Sequence, residues 1–121
     1  MNVLVIDDEY SFLVALRQFF EQLGMHVETA ETLESAMSLI TGREYDFVIT
    51  DIRLTGVLGE EGLDVLKYVK QCRKGTKVIV ITGYGNQEIL QKAYALGADF
   101  YFEKPVSGNS LAHAMKNMGP E

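Results

Sequence analysis

The sequence predicts an α/β fold, a doubly wound five-stranded parallel sheet with five helices on its two faces. Three observations predict it. Five short apolar runs alternate with helical patterns along the whole chain. The clearest runs are apolar at every position, as strands covered on both faces must be. The connections are short, and a β-α alternation with short links gives a parallel sheet.

Each element follows from its residues. The first strand is Val3-Leu4-Val5-Ile6, ending at Asp7-Asp8. Phe12, Leu16, Phe19, Phe20 and Leu23 then recur at helical spacing, and Gly24 is a natural stop. A weaker strand occupies residues 26–29. Thr32 is placed to cap a helix carrying Leu33, Ala36, Met37 and Ile40, which closes near Gly42. The third strand, Phe47-Val48-Ile49-Thr50, runs into Asp51. A Gly-rich polar loop spans residues 53–61, and Leu63, Leu66 and Val69 mark the next helix. The fourth strand, Val78-Ile79-Val80-Ile81, ends at Thr82-Gly83. A helix from about Gln87 carries Ile89, Ala93 and Leu96, with Gly97 past its end. The fifth strand is short, residues 100–102, and leads into Glu103-Lys104-Pro105. Ser107 is a cap candidate for the last helix, which carries Leu111, Ala114, Met115 and Met118. Right-handed crossovers reduce the possible topologies to a few, of which the order 2-1-3-4-5 is expected.

Bulk properties bound the function. The 121 residues suit one compact domain covering residues 1–121, and 47% hydrophobic content is enough for a core. The net charge of −6, with no Lys/Arg block, argues against direct nucleic-acid binding. The single cysteine, Cys72, excludes an internal disulfide, suggests a reducing cytoplasmic setting, and reads as a structural helix residue. Nothing approaches eighteen consecutive apolar residues, and the N-terminus lacks the basic flank of a signal peptide, so no membrane association is expected.

The chemistry collects at one place. Asp7-Asp8, Asp51, Thr82 and Lys104 each stand at the C-terminal end of an apolar strand. In an open α/β sheet, ligands bind off those ends. A single Asp after a strand is an ordinary loop residue; four strand ends with compatible chemistry are not. Three carboxylates together repel one another unless a cation joins them, and hard oxygen ligands favour Mg²⁺, with Mn²⁺ as a substitute. No His/Cys cluster suits zinc, because His26 and His113 are isolated in sequence. A metal beside Asp51 would let its carboxylate attack phosphorus and become an acyl phosphate. Lys104 would supply positive charge and Thr82 a hydroxyl donor.

These residues, in this order and spacing, resemble the receiver domains of response regulators, which have a CheY-like, flavodoxin-like fold. The resemblance covers essentially the whole chain. It implies that Asp51 accepts a phosphoryl group from the phosphohistidine of a histidine kinase or histidine phosphotransfer protein. It also implies metal ligation by Asp8 directly, by Asp7 mainly through water, by Asp51, and by the backbone carbonyl of Arg53. Thr82 and Lys104 match the phosphoryl contacts. Tyr101, three residues before Lys104, matches the switch aromatic. Movement of Thr82 toward the phosphoryl group would let that ring rotate inward and alter the surface of the fourth helix, fifth strand and fifth helix. That surface would meet an output domain, a partner protein or, on phosphorylation, a second copy. Catalysis would be limited to self-phosphorylation and self-dephosphorylation.

The chain departs from the family pattern after Asp51. Thr55 stands where the family usually has Pro, and Gly62 follows Asp51 by eleven residues rather than eight, an insertion of three. Arg53 and Tyr84 flank the expected path of an attacking water and are candidate modulators of dephosphorylation. Other classes fit less well. A Mg²⁺-dependent phosphohydrolase with an Asp nucleophile, like the haloacid-dehalogenase group, would carry Asp-x-Asp after the first strand and a cap domain. A nucleotide or flavin binder would need a phosphate-cradling loop where this chain has Asp7-Asp8-Glu9. A receiver that binds without phosphorylation would lack one of the key residues.

Overall fold

The structure is a computed structural model that describes residues 1–54, 59–83 and 85–118. Strands β1 (Asn2–Ile6), β2 (His26–Ala30), β3 (Phe47–Asp51), β4 (Lys77–Thr82) and β5 (Phe100–Glu103) alternate with helices α1 (Tyr10–Gln22), α2 (Leu33–Gly42), α3 (Glu61–Cys72), α4 (Gln87–Ala95) and α5 (Gly108–Met118). All strand pairs are parallel and the order is β2-β1-β3-β4-β5, as the sequence predicts.

Side-chain alternation sorts the sheet into two apolar layers. Leu4, Ile6, Val48, Val78 and Val80 face one way and pack with Ala36, Ile40, Leu63, Leu66, Val69, Ile89 and Ala93 of α2, α3 and α4. Val3, Val5, Phe47, Ile49, Ile79 and Ile81 face the other way, against Leu13, Leu16 and Phe20 of α1 and Leu111 and Met115 of α5. The unbroken apolar runs are therefore the mark of strands buried on both sides.

Local chemistry sets the element ends. Thr32 Oγ1 accepts from Ser35 N at 3.1 Å and caps α2, as expected. Ser107 Oγ accepts from Ser110 N at 3.1 Å at the start of α5. Asn86, a cap that apolar spacing does not reveal, accepts at Oδ1 from Ile89 N at 2.8 Å and caps α4. Gly24 and Gly97 follow α1 and α4 with φ of 87° and 106°, the left-handed conformation in which a side chain is strained.

Two expectations need correction. Leu23 does not join the buried stripe of α1: it is the C-cap and is exposed, while Leu13 fills the core position instead. The helix has ended by Leu23, so the stripe no longer governs where that residue points. Cys72 lies at the exposed end of α3 and is not a packing residue.

Candidate functional site at the strand carboxyl ends

Strand order brings the polar residues together. The order reverses between β1 and β3, and the crevice at such a switch point is where open α/β sheets place ligands. Asp7 follows β1, Asp51 ends β3, Thr82 ends β4, and Lys104 follows β5. Backbone hydrogen bonds run past the sheet to hold these ends. Asp7 N donates to Ala30 O at 3.0 Å, Ile52 N to Ile81 O at 3.0 Å, and Lys104 N to Thr82 O at 2.8 Å.

Asp7, Asp51 and Thr82 are buried, whereas Asp8 is exposed. The Lys104 ammonium sits among carboxylates, 2.8 Å from Asp7 Oδ2, 3.2 Å from Asp51 Oδ2 and 3.4 Å from Glu9 Oε1. The face of Phe12 lies 4.7 Å from the same ammonium. This ring and Glu9 are site residues that sequence reasoning missed. The Asp-Asp-Glu run hinted at Glu9, but nothing local tied either residue to a lysine some ninety positions away.

The remaining carboxylate oxygens meet backbone. Glu9 N donates to Asp7 Oδ1 at 2.9 Å, and Arg53 N donates to Asp51 Oδ1 at 3.1 Å. The electrostatics are strained. Burial raises the pKa of Asp7 to about 6, and the nearby Asp51 carboxylate adds to the rise, while Lys104 and the Glu9 amide oppose it. Burial alone would lower Lys104, but Asp7 and Asp51 outweigh it and raise its pKa.

Asp7, Asp8 and Asp51 can each offer an oxygen with all three atoms within 4.8 Å of one another. The set suits a hard divalent cation, being all oxygen with one member open to water. Asp7 Oδ2 supports the fit: it is buried and pairs with Lys104 by charge, yet receives no well-directed hydrogen bond.

Tyr101 is half-buried against the layer beneath α2, α3 and α4. Its hydroxyl is buried with no hydrogen-bond partner among the described residues. Burial raises its pKa, and Glu103 and Tyr94 add to this. Gly62 packs closely against the end of β3. Its N–H donates to Ile52 O at 2.8 Å, and a Cβ there would lie 1.9 Å from Asp51 O. Thr55 and Tyr84 lie outside the described residues.

The model of the response regulator receiver domain matches residues 3–116. This chain belongs to that family. The receiver is 28% identical to the sporulation initiation phosphotransferase F of Bacillus subtilis, over 98% of this chain and 94% of that protein. It is 29% identical to the photosynthetic apparatus regulatory protein RegA of Rhodobacter capsulatus over 98% of its own length, but spans only 62% of that regulator. The crystal structure of a CheY-like receiver domain protein from Methanospirillum hungatei superposes with a TM-score of 0.89 at 29% identity, covering 97% of this receiver and 91% of that chain. Among the described residues, no helix of the receiver is long and apolar enough to cross a membrane.

Proposed function

We propose that this receiver takes a phosphoryl group on Asp51 from the phosphohistidine of a histidine kinase or histidine phosphotransfer protein, in the cytoplasm, and passes the signal on by changing what it binds. The observation that carries the reading is Asp51 itself. Its carboxylate lies 3.2 Å from Lys104 and within the cluster formed with Asp7 and Asp8.

An Asp51 oxygen attacks phosphorus in line. The P–N bond to the donor imidazole breaks, its electron pair returns to nitrogen, and an acyl phosphate remains on Asp51. Hydrolysis later releases inorganic phosphate and restores the carboxylate. Mg²⁺ held by Asp8, Asp51, Asp7 through water and the Arg53 carbonyl would offset the charge gathered on the phosphoryl oxygens. Lys104 neutralises charge from the opposite side, and Thr82 donates its hydroxyl to a phosphoryl oxygen. As Thr82 turns toward the phosphoryl group, Tyr101 responds and reshapes the surface of α4, β5 and α5. That surface is the proposed contact for an output domain, a partner protein or a second receiver. Arg53, and Tyr84 by its place in the sequence two residues past Thr82, slow loss of the acyl phosphate by hindering water.

The test incubates the receiver with Mg²⁺ and acetyl phosphate and measures intact mass. One phosphoryl adduct, stable in acid and lost in base, is expected. It should vanish with chelator and in Asp51→Asn. An adduct that persists in Asp51→Asn would overturn the assignment.

A further inference from the structure

Gly85 lies between β4 and α4, and its φ lies outside the left-handed range that calls for glycine. Among the described glycines only Gly24 and Gly97 have positive φ, so the backbone at residue 85 admits a side chain. Space does not. A Cβ built there would lie 2.0 Å from Tyr101 Oη, 2.6 Å from Glu103 Oε2 and 2.9 Å from Thr82 Cγ2. The three neighbours respond differently. Glu103 is exposed, and its carboxylate can swing away. Thr82 is buried at the end of β4. Tyr101 is rigid from ring to oxygen, so its tip clears the space only if the whole ring turns about χ1.

The seat offers Tyr101 Oη no hydrogen-bond partner among the described residues, and burial without one is an unfavourable state for a hydroxyl. Packing of the ring against the core holds it inward while the oxygen pulls toward water. A balance of that kind is tipped by small steric changes.

We propose that Gly85 is the positioning residue for Tyr101: the missing side chain leaves open the seat for the phenol tip, beside the Thr82 methyl, and one added methyl group turns the ring out to solvent. The seating follows from geometry alone. Its consequence for signalling rests on the switch role proposed for Tyr101, in which residue 85 would set the resting balance between inward and outward rings.

The experiment uses the full chain carrying ring-¹³C tyrosine. The Tyr101 signal is the one missing from Tyr101→Phe, and a soluble paramagnetic chelate reports its exposure. Tyr101 should be protected in the parent and severalfold more accessible in Gly85→Ala. Equal protection in both would overturn the proposal. Deleting the hydroxyl removes the atom nearest the new methyl. The stability lost in Gly85→Ala, read by urea denaturation, should therefore be largely recovered in Gly85→Ala/Tyr101→Phe. Should Gly85→Ala fail to fold, recovery of folding in that double variant supports the proposal and its failure overturns it. Adding beryllofluoride and Mg²⁺ to the parent separates the two readings, because a Tyr101 signal that does not respond counts against the switch while the Gly85 comparison still decides the seating.

Discussion

Asp7 has no exposed surface, yet it sits beside a second carboxylate. Its pKa is raised from 3.8 to about 6, so the folded chain holds this proton more tightly than the unfolded one. The contribution is fully present below pH 3.8 and is lost as pH rises through about 6. Without divalent metal, stability should fall across that window by an amount on the order of 2 kcal/mol. Asp7→Asn removes the charge, so the variant should be more stable than the parent at pH 7 and its stability flatter between pH 4 and 6. Urea denaturation at several pH values checks this, and a parent whose stability rises through the window would contradict it. Lys104, with Asp51 and Glu9 still beside it, keeps two of its three carboxylates in that variant. A second residue-scale prediction concerns hydrolysis. Tyr84→Ala should shorten the life of the phosphorylated form severalfold, measured as loss of the adduct after the donor is removed. An unchanged rate would end the idea that Tyr84 hinders water.

At the scale of elements, α3 is fixed to β3 through its first turn. Gly62 leaves no room for a methyl group against the Asp51 carbonyl, and the neighbouring Ile52 Cα is 2.6 Å from the same point. Both obstacles are backbone and cannot rotate away. Gly62→Ala should therefore cost about 1–3 kcal/mol in overpacking and slow phosphorylation at Asp51 as the strand end shifts. Denaturation and adduct formation on the same sample measure the two effects. Gly42, where a Cβ meets nothing within 4 Å, is the control: Gly42→Ala should do neither. The pattern of helices and strands was legible in the sequence because each periodic run sets its own buried face. Asn86 is not legible as a cap, because the apolar pattern of α4 begins after it. Leu23 fits the apolar stripe of α1 but not its packing, because a stripe carries no information about where its helix ends.

Across the whole molecule, the sheet separates two apolar layers that share no residue. Leu66 in one and Leu111 in the other have no exposed surface. Each change to Ala should cost about 2–5 kcal/mol, and the double variant should cost nearly the sum, because the two sites share no packing partner. Denaturant midpoints at constant slope test this, and strong coupling would mean that the sheet transmits strain between its faces. The site lies at the carboxyl edge of this same sheet, so it inherits its precision from strands buried on both sides. By itself the sequence determined the elements, the two-sided burial of the central strands, and the set Asp7, Asp8, Asp51, Thr82 and Lys104, since each is legible from a strand and the residue that ends it. Only the tertiary structure decided that Lys104 rests on Glu9 and Phe12, that Gly62 abuts the Asp51 carbonyl, and that Gly85 leaves room for Tyr101. Those meetings join residues far apart in the chain. Local periodicity states what a segment must bury, while crossovers and packing decide what it meets there.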